Sequence, residues 1–389
     1  MSYLCAPPFA HTAGPRDARI VLVGEAWGER EEALGGQPFA GESGKELFRM
    51  LGEALPDTEP GLHQQVCDQM RFGDSWVSCR GKWLAAASIL LTNVLTLRPP
   101  GNNLEALCVS KKESTGTGVL ALPVVRGKYL SPDYAPEITR LRDELSSCNP
   151  KVIVGLGNTA LWALAGCTNI GMVRGSVTLG AEVGVAPGTK ILPTYHPAAV
   201  LRQWAWRPIV VTDLLKAARE SKFPELRRPS RRVLVDPTLV EVQAWVRSTL
   251  EPGRYHWLSP DIETAFGQIT CIGFARSISE ALVVPFVDKR AADWSYWKSP
   301  GEERQAWDAV ALLLQSPIPK LGQNFIYDLQ YITRMGIRPR NCLHDTMLLH
   351  HSLFPEMQKG LGFLGSVYTN EQSWKLLRRR KADTEKKDE

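Results

Sequence analysis

Two polar side chains in the first half of the chain, Glu25 and His196, are of the types that hydrolysis of an N-glycosidic bond requires. When such a bond breaks, positive charge develops on the sugar and negative charge on the departing base. The site then needs a carboxylate and a group that stabilises the oxyanion of the base. Glu25 and His196 therefore predict a catalytic pair, provided that the fold brings them together.

Two further residues are suited to recognise a base. A base that reacts must leave the stack, and its pocket then needs an aromatic surface and a side-chain amide that pairs with the base edge. Phe39 and Asn93 fit these roles. Taken singly, Glu25 is more ordinary as a carboxylate beside a helix, His196 as a core histidine and Asn93 as a turn residue. Their combination in one chain favours the functional interpretation.

The segments around these residues resemble the motifs of the family-4 uracil-DNA glycosylases. Residues 24–29 (GEAWGE) and 37–41 (QPFAG) are similar to the first motif, and residues 92–95 (TNVL) to the uracil-reading strand. Residues 152–164 (VIVGLGNTALWAL) resemble the strand–glycine–helix unit, and residues 192–202 (LPTYHPAAVLR) the histidine motif. Ordered matches over some two hundred residues make coincidence improbable.

The resemblance implies a role for each residue of the pocket. Glu25 orients or activates water, and His196 stabilises the charge that develops on the base. Gly24, Phe39 and Asn93 bind the base, with Phe39 stacking on uracil and Asn93 reading its edge. The resemblance thus implies excision of uracil, or of a related base, from DNA.

The resemblance also implies contacts beyond the catalytic pair. The residues expected to lie against DNA are Pro197, Ala198, Leu201 and Arg202. An acidic run stands where the family places a residue that crowds out the methyl group of thymine. It contains Glu29, Glu31 and Glu32, and which of them has that role stays open; we assign Glu31 to the base-binding set.

Two departures from the family pattern affect what is expected of the site. Trp27 replaces the proline usual in the first motif, and its bulk could alter access to the pocket or remove activity. The family also commonly binds an iron–sulfur cluster through four cysteines. Here only Cys5 is present near the N-terminus, Leu97 stands where another ligand belongs, and Cys148 is a further remnant. We therefore expect no iron–sulfur cluster.

The second half of the chain contains carboxylates in a pattern typical of metal-dependent phosphodiester hydrolysis. Asp261 and Glu263 alternate on a predicted strand, so they point to one face and can share a metal ion. Asp328 follows Asn324 by four residues, which places both on one side of a helix start. Because two-metal hydrolysis needs carboxylates from separate elements, Asp261, Glu263 and Asp328 are the candidate ligands of Mg²⁺ or Mn²⁺.

Residues 233–369 resemble the proofreading 3′-to-5′ exonucleases, particularly those of bacterial and phage family-A DNA polymerases. The first motif corresponds to residues 261–263, the second to residues 321–328 (LGQNFIYD), and residues 344–353 to the helix that follows. Asp345 is interpreted as structural rather than as a ligand. This resemblance implies an exonuclease-like module.

The third exonuclease motif is not found in the sequence. It should be a tyrosine or histidine followed a few residues later by a carboxylate, on a helix after the Tyr368 region. Tyr368 is followed by Glu371 at the wrong spacing, and Asp383 and Asp388 lie in a charged tail. We therefore expect weak or absent nuclease activity.

The elements that must position the first set of residues are short apolar strands that alternate with amphipathic stretches, an order that predicts a parallel α/β sheet. The strands are predicted at Ile20–Val23, Ile89–Leu95, Val152–Leu156 and Ile191–Tyr195, with a helix at 43–55. Ligands bind beyond the carboxyl ends of such strands, where Glu25, Asn93 and His196 all fall. Residues 56–82 and 102–132 lack periodicity and are interpreted as loops or insertions.

The chain is long enough for two domains. We predict a three-layer α/β/α uracil-DNA-glycosylase-like domain at 1–218 and a basic, proline-broken linker at 219–232. A second α/β domain of the ribonuclease-H-like exonuclease type is predicted at 233–374, before a charged tail at 375–389. Strands are expected at 233–235, 270–274 and 281–287, and helices at 239–250 and 302–314.

Composition limits the location and the partners. The 389 residues carry a net charge of +5 and eight scattered cysteines without a C-x-x-C pair, which is typical of a reduced, intracellular protein. Prolines interrupt the N-terminus where a signal peptide needs an apolar stretch, and no window is long enough to span a bilayer. We expect a cytoplasmic protein, in the host cytoplasm if it is viral, with DNA as partner and no membrane association.

Three hypotheses for the whole chain follow. The leading one is a phage-like protein of DNA repair or replication that removes uracil and carries an exonuclease-like module. The second is a non-catalytic DNA-binding subunit that accompanies a DNA polymerase or another replisome protein. The third is the N-terminal part of a phage DNA polymerase. The sequence leaves open which base is excised, the preferred strand state and the oligomeric state.

Overall fold

A computed structural model describes residues 4–55 and 60–371, and these residues form two compact units. Unit 1 contains the described residues up to Arg227 and those from Gly362 onward, and unit 2 contains Arg228–Leu361. The chain therefore leaves unit 1, forms unit 2 and returns to unit 1. This division differs from the predicted one, in which the second domain runs without a break from 233 to 374.

Unit 1 is built on a five-stranded sheet. Its strands, with those of a separate two-stranded ladder (β3 and β4), are β1 (Ile20–Gly24), β2 (Ile89–Asn93), β3 (Cys108–Val109), β4 (Tyr129–Leu130), β5 (Val152–Leu156), β6 (Thr178–Leu179) and β7 (Lys190–Thr194). The sheet order is β2-β1-β5-β7-β6, in which the first four strands are parallel and β6 is antiparallel to β7. The four predicted strands thus form its parallel part.

Helices cover both faces of this sheet. They are α1 (Glu29–Ala33), α2 (Glu42–Ala54), α3 (Leu62–Gln69), α4 (Ser75–Ala86), α5 (Ala135–Cys148), α6 (Gly157–Ala165), α7 (Ile170–Val173), α8 (Pro197–Arg202) and α9 (Arg207–Glu220). Helices α5 and α6 bury apolar side chains against one face, and α9 packs on β5 and β7 and against α2. The predicted three-layer α/β/α arrangement is confirmed.

The four parallel strands are buried along their whole length. Strands covered on both faces read as continuous apolar runs rather than alternating ones, which is why the sequence reveals them. Residues 56–82, interpreted as loops or insertions, are not a loop, because α3 lies within that stretch and α4 begins in it. Trp76 and Trp83 of α4 are buried, and the even spread of polar residues around the helix hides its periodicity.

Unit 2 contains both strands and helices. Its elements are β8 (Arg232–Leu234), α10 (Leu239–Thr249), β9 (Ser259–Ala265), β10 (Gln268–Ala275), β11 (Glu280–Pro285), α11 (Pro300–Gln315), β12 (Lys320–Gly322), α12 (Phe325–Arg334), β13 (Cys342–Asp345) and α13 (Thr346–Leu353). The predicted strands and helices of this region are all present, with ends shifted by a few residues at most.

The sheet of unit 2 has the order β8-β11-β10-β9, in which β9, β10 and β11 are antiparallel neighbours. Leu258, just before β9, forms a parallel bridge to Lys320 of β12, and β12 pairs in parallel with β13. Three antiparallel strands therefore continue into two parallel ones, an arrangement that fits the predicted ribonuclease-H-like class. Helices α10 and α11 contribute to the apolar core.

The last described helix is α14 (Leu361–Tyr368). From Gly362 onward it belongs to unit 1, so Tyr368 does not lie in the unit where a third exonuclease motif would be needed. Asp383 and Asp388, also considered for that motif, lie outside the described residues. Within 4–55 and 60–371, no helix has the length and apolarity to cross a bilayer.

Candidate active site

The carboxyl ends of the parallel strands of unit 1 surround a cavity of about 640 Å³. Gly24 and Asn93 are register partners at the ends of β1 and β2, and Thr194 ends β7 beside Leu156 of β5. The residues that follow these ends enter the cavity wall. Among the residues that line it are Glu25, Glu31, Phe39, Asn93, His196, Ala198 and Arg202. Three separated stretches of sequence are thus brought to one pocket.

Gly24 makes room for the side chains of Asn93 and Phe39. A Cβ at this position would lie 2.2 Å from Oδ1 of Asn93 and 2.5 Å from Cζ of Phe39. Asn93 itself is buried, and the backbone N–H of Val94 donates to the carbonyl of Gly24 at 3.0 Å. The amide and the aromatic ring therefore meet above a position that only glycine can occupy.

Phe39 is held in an unusual backbone conformation. Its φ of 52° lies in the left-handed region, which is uncommon for an aromatic residue and is found at sites that the surroundings constrain. The buried guanidinium of Arg80 donates to the carbonyls of Phe39 (2.8 Å) and Pro38 (2.7 Å). Gly44 allows α2 to approach closely, because a Cβ there would lie 1.9 Å from the Phe39 carbonyl oxygen. The backbone of Phe39 is therefore held in place by Arg80 and by α2.

The carboxylate of Glu25 accepts a hydrogen bond from a residue at the junction between β5 and α6. The hydroxyl of Thr159, in the first turn of α6, donates to Oε2 of Glu25. Just before it, Gly157 has a φ of 86°, and a Cβ there would lie 3.1 Å from Cβ of His196. The turn between β5 and α6 therefore both orients the carboxylate and lets the histidine approach.

His196 is the N-cap of α8, and its ring is uncharged near neutral pH. Nδ1 accepts a hydrogen bond from the backbone N–H of Ala198 at 3.2 Å, so the ring proton resides on Nε2. Burial, with a smaller contribution from the positive charge of Arg202, lowers the pKa of His196 to about 4. The ring lies partly stacked on Phe39, with centroids 6.1 Å apart and planes at 28°. The histidine can thus act as a neutral donor.

The acidic run of the first motif divides into two roles. Glu31 is buried, and its carboxylate accepts from the backbone N–H groups of Gly28 (3.1 Å) and Gly41 (3.0 Å). Glu31 thus lines the cavity, and its hydrogen bonds join the two ends of the segment that contains Phe39. Glu29 and Glu32 instead pair with Arg98 on the surface.

Trp27, which departs from the family motif, lines the same cavity. Its backbone N–H donates to the carbonyl of Leu97 at 3.1 Å, and its ring meets His11 edge-on with centroids 4.7 Å apart. Gly36 provides space for the ring, because a Cβ there would lie 2.4 Å from Cζ2 of Trp27. Nε1 of Trp27 is buried and has no hydrogen-bond partner among the described residues.

The residues expected to lie against DNA are not equally accessible. Pro197 is buried at the start of α8, whereas Ala198 and Arg202 line the cavity mouth. Leu201 is 46% exposed and Trp204, which follows α8, is 58% exposed. Leu201 and Arg202, the most exposed residues of this set, lie at the C-terminal end of α8.

The residues where the family places its iron–sulfur cluster do not fit that group. Cys5 lies beside Glu137 and Arg140, and burial together with the Glu137 carboxylate raises the pKa of its thiol to about 12. Cluster ligation requires thiolates, which this environment disfavours. Thr96, next to Leu97, instead donates to Glu137 through its backbone N–H and its hydroxyl, both at 2.9 Å. The expectation of no cluster stays a prediction.

Several residues that support the site were not identified from the sequence. Thr159 follows the glycine of its motif, but no pattern relates it to Glu25. Arg140 donates to the carbonyls of Asn93 (2.7 Å) and Val94 (3.0 Å) from within α5. The spacing of Glu137, Arg140 and Glu144 on one helix face indicates ion pairs, and only the structure shows that they are buried.

In unit 2 the predicted metal ligands lie near one another but do not form a metal centre. Asp261 and Glu263 are both exposed on one face of β9, as the alternation predicts. Asp328 is buried and accepts a hydrogen bond from the N–H of Ile262 at 2.9 Å; burial raises the pKa of Asp328 to about 6, and Asp261 contributes. No three His, Cys, Asp or Glu side chains converge on one point in the described part of the chain. The donor set does not fit a two-metal site.

Asp345 has a structural position in unit 2. Its carboxylate accepts from the backbone N–H groups of Asn324 (3.0 Å) and Phe325 (2.8 Å), and it caps α13 through Met347 at 2.8 Å. Asn324 itself has a φ of 55° at the start of α12. Asp345 therefore fixes the turn before the helix that carries Asp328.

Comparisons with known proteins identify the family of the first part of the chain. The model of the uracil DNA glycosylase superfamily matches residues 11–218, a stretch that contains the whole lining of the cavity. The type-4 uracil-DNA glycosylase of Thermotoga maritima is 26% identical over 206 residues, which are 52% of this chain and 78% of that protein. The enzyme of the same name from Archaeoglobus fulgidus is 30% identical over 208 residues, 52% of this chain and 77% of that protein.

Among solved structures, the crystal structure of the EXD2 exonuclease domain soaked in Mg and GMP is similar to this chain. It is 17% identical and has a TM-score of 0.23, with 37% of this chain and 72% of that chain covered. The same domain soaked in Mn and GMP gives 16% identity and the same TM-score. The class of unit 2 rests on its strand order.

Proposed function

Because the chain belongs to the uracil DNA glycosylase superfamily, we propose that it hydrolyses the N-glycosidic bond of uracil, or of a closely related base, in DNA. The observation that carries the proposal is the convergence of Glu25, Phe39, Asn93 and His196 on one cavity at the carboxyl edge of the sheet. The enzyme class is a hydrolase of N-glycosyl bonds, and DNA is the partner.

In the proposed reaction the flipped base lies on Phe39 and pairs with the side-chain amide of Asn93. The carboxylate of Glu25, oriented by the hydroxyl of Thr159, positions a water molecule and stabilises the positive charge on the sugar. The bond between C1′ and N1 breaks and its electron pair leaves with the base. The water oxygen bonds to C1′ and gives up one of its two protons, which neutralises the released base anion. The products are the free base and an abasic sugar.

His196 supplies the electrostatic part of the mechanism. With Nδ1 occupied by the N–H of Ala198, the Nε2–H group is the one that donates to the oxygen of the departing base. A neutral donor stabilises the developing oxyanion without the cost of burying a full charge. The low pKa of His196 is therefore part of its function.

The test is a glycosylase assay on single- and double-stranded oligonucleotides that contain one uracil, with thymine and modified bases as a specificity panel. Glu25→Gln is expected to lower the rate by about 100-fold or more, the scale of a positioned catalytic carboxylate. Glu29→Gln, the same change at an exposed carboxylate outside the cavity, should leave the rate unchanged. Abasic product formed equally fast by Glu25→Gln and the parent would falsify the assignment.

The second candidate function is DNA binding without catalysis, and Trp27 is the observation that favours it. A bulky ring lines the cavity where the family has proline. In that case DNA affinity would fall steeply with salt through phosphate contacts, and no base of the panel would be released. A Trp27→Pro variant that gains excision activity would identify this ring as the obstacle.

For unit 2 we propose a DNA-holding or weakly active exonuclease-like module. Asp261 and Glu263 face the same way near Asp328, which supports a weak affinity for Mg²⁺ or Mn²⁺. Because the described donors do not form a metal centre, no hydrolytic step is assigned to them. A phage origin, a relation to family-A polymerases, action beside a replisome protein and a cytoplasmic location are further proposals, supported by the sequence resemblance and the eight free cysteines.

A further inference from the structure

A buried ionic cluster lies behind the strand that leads to His196. Arg174 and Asp213 form an ion pair at 3.1 Å, and both side chains are inaccessible to solvent. Asp213 also accepts from the hydroxyl of Thr194, the last residue of β7, at 2.7 Å. The backbone N–H of Gly175 donates to the carbonyl of Pro193 at 2.8 Å. The cluster is thus bonded to the strand end two residues before the catalytic histidine.

The cluster is completed by α14, which lies beyond unit 2 in the sequence. The guanidinium of Arg174 donates to the hydroxyl of Ser366 and lies 4.7 Å from the ring centroid of Phe363. Nζ of Lys216, on α9, donates to the carbonyls of Ser366 and Thr369. These bonds join α14 to the core of unit 1 rather than to its rim.

Two further observations show how closely α14 fits this place. A Cβ on Gly175 would lie 2.7 Å from the carbonyl oxygen of Ser366, so the helix approaches the backbone where only glycine gives room. Asn370 donates to the carboxylate of Glu220 at 2.7 Å, near the C-terminal end of α9. Contacts therefore extend from Phe363 to Asn370 along a single segment.

The buried cations of the cluster need the hydrogen-bond acceptors that this segment supplies. Buried charged groups are stabilising only when their hydrogen bonds are satisfied, so the loss of a buried acceptor destabilises the group that donates to it. Without α14, Arg174 would lose an acceptor, and Lys216 would retain the carbonyl of Gly175 (2.8 Å) but lose those of the helix. Burial lowers the pKa of Lys216 to about 8, which reflects how little water reaches it.

We propose that residues 362–370 complete the glycosylase unit and act as positioning residues for His196, through Ser366, Arg174, Asp213 and Thr194. The positioning of His196 rests on the proposed function, whereas the docking of α14 onto unit 1 does not. The superfamily match ends at residue 218, so this segment lies outside it. The glycosylase unit thus requires residues that follow unit 2 in the sequence.

The test uses the full chain and three substitutions of Ser366. Ser366→Lys places a third positive charge beside Arg174 and Lys216 and should displace α14. Ser366→Ala removes only the hydroxyl, and Ser366→Thr retains it. Ser352→Lys is the matched control, since Ser352 is an exposed serine on a helix of unit 2.

The first readout is hydrogen exchange of backbone amides, which does not depend on catalysis. In Ser366→Lys the amides of β7 and Gly175 should exchange about tenfold faster or more, equivalent to about 1.4 kcal/mol, with a smaller change in Ser366→Ala. Amides of β9 and β10 serve as the internal reference. Unchanged exchange of β7 in Ser366→Lys overturns the proposal, as does an equal increase in Ser352→Lys.

The second readout separates positioning from simple destabilisation. For a parent that excises uracil, Ser366→Ala should lower kcat with KM nearly unchanged, and Ser366→Thr should restore it. A KM effect alone, or a Ser366→Thr variant as slow as Ser366→Ala, overturns the positioning role. If the parent releases no base while β7 exchange responds to Ser366→Lys, the proposed function fails and the docking of α14 stands.

Discussion

Gly24 shows how a residue without a side chain determines the recognition pocket. The space beside its Cα is filled by the amide of Asn93 and the ring of Phe39, which come from two different segments. Any side chain there must displace one of these groups. The shape of the pocket therefore depends on a position that has no side chain.

We predict that Gly24→Ala keeps the fold but lowers kcat/KM for uracil excision by about tenfold to 100-fold, because displacing a buried hydrogen-bonding amide costs about 1–3 kcal/mol. Steady-state kinetics on a uracil oligonucleotide measure this effect. Gly81→Ala is the matched control, since a Cβ there meets no atom within 4 Å and the residue lies in a helix. Equal kinetics for Gly24→Ala and Gly81→Ala would contradict the prediction.

His196 gives a prediction about pH. Because its folded-state pKa of about 4 lies below the ordinary value of 6.5, the unfolded state binds a proton more readily. The contribution of His196 to stability is therefore complete above about pH 6.5 and is lost as the pH falls through 4. Nitrogen NMR of the ring should show the neutral tautomer with its proton on Nε2 at pH 5.5. A protonated ring at that pH would exclude the neutral-donor mechanism.

At the scale of elements, α5 fixes the end of β2 through buried charges. Arg140 bridges Glu137 and Glu144 on its own helix and donates to the carbonyls of Asn93 and Val94. Glu144 also accepts from the hydroxyl of Thr92 at 2.7 Å. The strand end that presents Asn93 is therefore held by one guanidinium.

We expect Arg140→Met to destabilise unit 1 by about 3–5 kcal/mol, because two carboxylates would remain buried without their partner. Chemical denaturation measures this loss. Arg142→Met, on the same helix but on its exposed side, should change stability by less than about 0.5 kcal/mol. A similar midpoint for both variants would show that the buried cluster is not stabilising.

The elements were predictable to different degrees, for physical reasons. The parallel strands follow from apolar runs, and the meeting of Glu25, Asn93 and His196 follows from the rule that strand ends share an edge. Helices α3 and α4 were not recognised, because α4 buries two tryptophans without a clear apolar stripe. The Thr159–Glu25 and Arg140–Asn93 bonds join distant segments through single atoms, which no local pattern encodes.

At the scale of the whole molecule, the second unit was predicted as a class but its extent was not. Its strands are recognisable from their apolar residues. The return of α14 to unit 1 instead depends on contacts between residues that are about 150 to 190 positions apart in the sequence. Nothing in the local sequence of α14 distinguishes it from another helix of unit 2. Long-range polar contacts of this kind become visible only in three dimensions.

We predict that neither unit shows an activity that depends on added metal ions. Mg²⁺ or Mn²⁺ should produce little or no degradation of single-stranded DNA, because the described donors of unit 2 do not form a metal centre. Asp261→Asn should leave uracil excision unchanged, and excision should persist in EDTA. Rapid Mn²⁺-dependent degradation that Asp261→Asn abolishes would show that unit 2 is an active nuclease.

The position of α14 has a consequence for biosynthesis. The ribosome must translate all of unit 2 before Ser366 is available to Arg174, so the nascent glycosylase sheet can form early but its ionic cluster closes late. Chains cut short by a premature stop codon within unit 2 would contain every pocket residue and still lack the helix behind His196. Quality control by proteases would then act on the glycosylase unit according to whether this C-terminal segment had been made.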